Sequence, residues 1–211
     1  ANLFSFEYFG SEQYTYFYIV VREELKETIE GLIYATFPDA EIYETKDYTE
    51  RFDEKTQHVA GCEIFLEEKD VYPIRTYEQF EEDAMARFFS VVSKISRSER
   101  VWVQIITEPL DDTALYHFFR KWRYRLANWR HFFSIRDRMR TEGRKGIQAR
   151  RHHAAEEKEK SKPFRVSIRC GYVAASDEEA HRKLHAVINS FFHFNDTDIQ
   201  AFEEGKIRSG E

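Results

Sequence analysis

The sequence predicts an α+β fold: an antiparallel sheet with helices on one face, built from ferredoxin-like units and interrupted by a long basic helical insertion. Three observations predict it. Stretches at residues 3–9, 14–21, 41–47, 58–66, 101–106 and 164–173 are β-branched, aromatic or alternating in polarity. Between them, apolar residues recur every three or four positions, the helical period. The resulting order, β-β-α-β-β-α-β, insertion, β-α, suits an antiparallel sheet with helices gathered on one side.

Residues 14–21, Tyr-Thr-Tyr-Phe-Tyr-Ile-Val-Val, form an uncharged run that reads as a buried strand. Residues 3–9 are its hairpin partner, with Gly10 and Ser11 in the turn. Leu25, Ile29, Leu32 and Ile33 then follow helical spacing until Pro38, which cannot continue the hydrogen-bond ladder. Residues 41–47 alternate as a strand, and a polar stretch leads to the strand at 58–66. A helix is expected over 77–95, with Phe80, Ala84, Phe88, Val91 and Val92 on its inner face. Val101 to Ile106 is a strand closed by Pro109. After the insertion, 164–173 alternates again, and Ser176 with Glu179 three residues later marks a helix start. That helix runs to about 192 on Ala180, Leu184, Val187, Ile188 and Phe191. Residues 16–37 and 168–192 share one grammar: strand, acidic helix start, amphipathic helix, aromatic end.

Composition divides the chain into four parts. A ferredoxin-like α+β unit covers 1–110, the basic insertion 111–162, a sheet-completing strand and helix 163–195, and a linker toward a further C-terminal region 196–211. The net charge of −6 hides a segregation. Residues 113–162 hold 15 Lys/Arg against 5 Asp/Glu, while the rest of the chain holds 17 against 33. Such asymmetry speaks to partners more than the total does. Within the insertion, Leu115, Phe118, Phe119, Trp122, Leu126, Trp129 and Phe133 form one apolar stripe, beyond which the chain turns polar. No apolar run approaches the roughly 18 residues of a membrane span.

The sequence carries no G-x-x-x-x-G-K-[ST], G-x-G-x-x-G, G-x-S-x-G or H-E-x-x-H motif, so no catalytic residue, cofactor or metal is assigned. His181 and His185 share a helix face but make only two ligands. Glu67-Glu68 and Glu81-Glu82-Asp83 read as a strand end and a first helical turn. Cys62 and Cys170, in separate strands, read as reduced core thiols, in keeping with a cytosolic compartment. The candidate phosphate contacts are Arg120, Lys121, Arg123, Arg125, Arg130, Arg136, Arg138, Arg140, Arg144 and Lys145. Such cations release counterions when they meet a nucleic-acid backbone. Trp122 and Trp129 belong to the packing stripe instead. The competing reading of the same segment is a protein–protein assembly helix.

Phe6-Glu7-Tyr8, residues 16–21, Tyr34-Ala35-Thr36-Phe37-Pro38-Asp39-Ala40-Glu41-Ile42, Pro73-Ile74-Arg75-Thr76-Tyr77-Glu78-Gln79-Phe80-Glu81 and Val103-Gln104-Ile105-Ile106 carry a resemblance. With the Trp-containing basic helix that follows, they resemble the non-catalytic domain preceding the P-loop motor in conjugation-type ATPases of reduced-genome bacteria. Those motors are related to type IV secretion coupling proteins. The resemblance implies an accessory domain of a DNA-translocating ATPase, cytoplasmic and near the inner face of the membrane. The partners it implies are DNA, further copies of the chain, and a motor domain.

Overall fold

A computed structural model describes residues 3–12, 14–51, 57–81, 83, 85–110, 142–159 and 164–209. Its elements are β1 (Phe4–Ser11), β2 (Tyr14–Val20), α1 (Lys26–Thr36), β3 (His58–Leu66), α2 (Ala86–Val92), β4 (Arg100–Pro109), α3 (Glu142–Glu159), β5 (Phe164–Ala174), α4 (Asp177–Phe191), β6 (Phe202–Glu204) and β7 (Arg208–Ser209). The fold is α+β, as the sequence predicts. One antiparallel sheet has the order β2-β1-β4-β5-β3-β6, and β7 also pairs with β3.

The run β3-α2-β4-β5-α4-β6 has the split βαβ arrangement of a ferredoxin-like unit, with β5 inserted between β3 and β4. The segment between β4 and β5 is thus an expanded hairpin connection. The β1–β2 hairpin extends the sheet beyond β4.

Period-2 alternation sends Ala60, Cys62 and Ile64 of β3, Val101 and Val103 of β4, and Cys170, Tyr172 and Ala174 of β5 to one face. There they meet Phe88 and Val92 of α2, and Ala180, Leu184, Val187, Ile188 and Phe191 of α4. Each fully buried aliphatic side chain contributes about 1.5–3 kcal/mol. The Ser176 hydroxyl accepts the Glu179 amide and caps α4 as expected. On the opposite face, the Trp102 ring lies on Gly171, where a Cβ would come within 2.0 Å of it.

Four expectations are corrected. Residues 41–47 form no strand. The helix expected over 77–95 is a 3₁₀ turn, Tyr77–Gln79, followed by the shorter α2. The Gln79 side chain accepts the Thr76 amide, Phe80 is extended, and Asp83 accepts the Met85 amide to start a new helix. The segment expected as a linker, 196–211, instead supplies β6 and β7, and buries Ile199, Gln200 and Phe202. Strand β2, expected in the core, is the terminal strand among the described residues. Tyr14, Tyr16, Phe17, Ile19 and Val20 are exposed on it.

Candidate protein-interaction surface

Strand β2 carries aromatic or β-branched residues on both faces and no charge. Phe17 leans on Tyr8 and Phe89, with ring centroids 5.2 and 6.0 Å apart, yet remains 65% exposed. On the same face, Phe6, Phe164 and Val166 are about half exposed, at the end where β4 leaves the sheet and β5 enters it. Helix α1 follows directly and buries no residue. Of its stripe, Leu25, Ile29 and Ile33 are only half-buried and Leu32 is 60% exposed. Tyr34 and Phe37 are exposed as well. Apolar side chains exposed in such number on secondary structure point to interaction.

The surface is held on a rigid base. The chain leaving α1 is pinned on the other sheet face by Tyr48, which is 4% exposed. Its ring stacks on Phe9 at 4.5 Å and on Tyr18 at 5.2 Å. Its hydroxyl donates to Glu7 Oε2 at 2.6 Å and accepts from Gln104 Nε2 at 3.0 Å. Burial, then the Glu7 carboxylate, push that hydroxyl well above its ordinary pKa. Ser5 donates to the other Glu7 oxygen at 2.5 Å. The Lys26–Glu44 pair, 2.7 Å, ties α1 to the same connection.

Beyond Val20 come Glu23, Glu24, Glu27 and Glu30, with Arg22 and Lys26 among them, and Arg22 pairs with Glu24 at 3.3 Å. Beside the Tyr14 end lies the α2–β4 turn, because Arg100 pairs with Ser11 and Ser11 with Tyr14. That turn carries exposed Lys94 and Arg97.

The predicted phosphate contacts are distributed otherwise. Arg120, Lys121, Arg123, Arg125, Arg130, Arg136, Arg138 and Arg140 lie outside the described residues, as does the apolar stripe 115–133. Arg144 and Lys145 fall on the backbone of α3. Further along α3 the cations are engaged with the body instead of projecting. Arg150 pairs with Asp198 at 2.7 Å and Asp196 at 3.3 Å, and Arg151 pairs with Glu68 at 3.1 Å. Lys158 donates to the Asp70 carbonyl, and Ala155 is fully buried.

The remaining polar candidates are accounted for by structural contacts. His181 Nδ1 lies 2.8 Å from the Asp177 carbonyl, and His185 Nδ1 lies 3.2 Å from Glu204. Among the described residues no group of three or more His, Cys, Asp or Glu converges as a metal site. Cys62 and Cys170 face each other across β3 and β5 as free, buried thiols, and burial pushes both thiols up. Glu99 is buried against Lys183 and Tyr172. Burial pushes its carboxyl up, but hydrogen bonds from Lys183, the Ser96 amide and Tyr172 outweigh that and hold it below its ordinary value. No described helix is long and apolar enough to cross a membrane.

A family model described as a domain of unknown function, DUF8128, matches residues 2–209. The chain belongs to DUF8128. No curated protein and no solved structure matches it. The DUF8128 match takes in the ferredoxin-like unit, the β1–β2 hairpin, α1 and the insertion together.

Proposed function

We propose that this DUF8128 chain is a non-catalytic assembly module that joins neighbouring protein subunits through β2 and α1. The observation that supports this reading is the exposure of Phe17, Ile19 and Val20 of β2, Leu32 of α1 and Phe37 at its end. The setting we propose is the one the resemblance implies: an accessory domain of a conjugation-type, DNA-translocating ATPase. It would work on the cytoplasmic side, near the inner face of the membrane, and hold subunits in register beside a motor.

Sedimentation velocity across a concentration series tests the assembly reading. The chain should form a concentration-dependent oligomer, and Leu32→Glu and Phe17→Glu should lower its association at least tenfold without unfolding the sheet. A monomer at every concentration, indistinguishable from both variants, would overturn it.

A second reading, DNA contact by residues 120–145, is supported by the surplus of positive charge in that stretch. If about five phosphates are neutralised, log K should fall with log[salt] with a slope near −4 to −5. A salt-insensitive titration would remove that reading and leave the assembly role standing.

A further inference from the structure

The sheet face that carries the core continues toward the end where β4 leaves the sheet and β5 enters it. In register, Phe6 stands beside Ile105, and Ile105 beside Ile168, whose neighbour on β3 is the core residue Ile64. Two residues further along each strand, on the same face, come Phe4, Thr107 and Val166, and then Pro109 and Phe164. Ile105 and Ile168 pack against the core and are half-buried. Phe6, Phe164 and Val166 are 44%, 48% and 50% exposed. The Phe4 ring joins them, with centroids 5.6 Å from Phe6 and 6.1 Å from Phe164. Among the described residues, an apolar patch continuous with the core is therefore left open at this end.

We propose that the apolar stripe of residues 115–133, which lies outside the described residues, packs on this patch within the same chain. This goes beyond the assembly role, which β2 and α1 carry.

The course of the chain favours this occupant. Pro109 and Phe164 are the last register partners of β4 and β5, so the insertion leaves and re-enters the sheet at the patch. Leu115 follows Pro109 by six residues, which span at most about 22 Å. The return is held at the same end. Strand β3 runs antiparallel to β5, so Glu68, just past Leu66, lies toward the start of β5. Arg151 of α3 pairs with that Glu68, and Lys158 donates to the Asp70 carbonyl. Glu142, the first residue of α3, is about 12 Å along the helix from Arg150. The stripe is thus tethered on both sides to the end of the sheet that carries the patch. Such tethering supplies an effective concentration on the order of millimolar, which neither a second copy nor a separate ligand has.

Size and chemistry agree. A helix over 115–133 would be about 28 Å long, enough to cross β5, β4, β1 and β2, which together span about 14 Å. Its stripe of Leu, Phe and Trp meets a patch of Phe, Val and Ile. The same helical period puts Arg120 and Lys121 opposite the stripe, so the packing leaves both cations in water.

Amide hydrogen exchange on the 211-residue chain tests the packing. An isolated helix of this length is marginal in water, so protection over 115–133 reports its contacts. That protection should be the same at low and high protein concentration. Phe164→Glu with Val166→Glu should lower it at least tenfold, while α4 stays protected. A second measurement leaves the patch nearly intact and alters only the insertion. Val166→Cys should react with a water-soluble maleimide at least tenfold more slowly than Tyr77→Cys, an exposed position elsewhere. Adding Trp122→Glu and Leu126→Glu should remove that difference. The native thiols Cys62 and Cys170 are buried and stay out of the reaction.

Amides over 115–133 that exchange like a free chain would overturn the proposal, and so would a rate at residue 166 that ignores the insertion variants. Protection over 115–133 that appears only at high concentration would assign the stripe to a second copy and overturn it as well. The assembly role is read separately, over residues 14–20 and 26–36, and stands or falls independently of these results.

Discussion

Two strand–helix units of this molecule share one sequence grammar and have opposite fates. In β5–α4 the strand is central, the helix is capped by Ser176, and Leu184, Val187 and Ile188 are fully buried. In β2–α1 the strand is terminal, no side chain caps the helix, and the apolar stripe is left partly or wholly open. The β5–α4 unit builds the core. The β2–α1 unit offers apolar surface from a body that is already folded. The difference lies in what is packed above each unit, and local pattern carries little of that information.

Truncation should separate the two units most sharply. Leu184→Ala, at a site with 0% exposure, should cost about 2–5 kcal/mol in urea unfolding. Leu32→Ala should change the stability of the monomer by no more than about 0.5 kcal/mol. Equal costs at the two sites would mean that α1 is packed after all, and would remove the contrast.

The ion pair beneath α4 comes next. Lys183 bonds to buried Glu99. Glu99→Gln should destabilise by about 2–3 kcal/mol near neutrality, since it leaves the Lys183 ammonium with only the more distant Glu179 carboxylate, at 3.9 Å. The folded-state pKa of Glu99 lies below its ordinary 4.5, so the folded state binds the proton less readily than the unfolded chain. Its contribution is complete above about pH 4.5 and fades as pH falls through the folded value. Acid unfolding of Glu99→Gln should therefore be shallower than that of the parent.

Tyr48→Phe tests how the exposed unit is held. It removes the hydroxyl shared by Glu7 and Gln104. The expected cost is about 1–2 kcal/mol, with the loss of protection concentrated in the connection after α1. Last in size, Ser176→Ala should cost about 1 kcal/mol through the lost cap. At the start of α1 the corresponding position is Leu25, which makes no side-chain cap.

The fold class was legible because β3, β4 and β5 alternate over seven or more residues and α4 has a clear cap and stripe. Strand β2 was legible as a strand but not as an edge. A continuous apolar run looks the same whether it is covered on both sides or on neither. For the same reason the helical spacing of Leu25, Ile29, Leu32 and Ile33 does not tell whether their stripe is covered. Strands β6 and β7 have three and two residues, too few to display a period. The break at residues 80–85 depends on the side chains of Gln79 and Asp83 competing for backbone amides, which helical spacing does not register. The charge surplus of the insertion was legible from composition. The engagement of Arg150 and Arg151 with Asp196, Asp198 and Glu68 was not, because those partners are 46 to 83 residues distant in sequence.

The central claim, that β2 and α1 form a surface completed by another subunit, is tested most directly by amide hydrogen exchange at low and high protein concentration. Protection over residues 14–20 and 26–36 should rise with concentration, while β5 and α4 stay protected throughout. Exchange over 14–20 that is equally fast at every concentration, with the core unchanged, would contradict it.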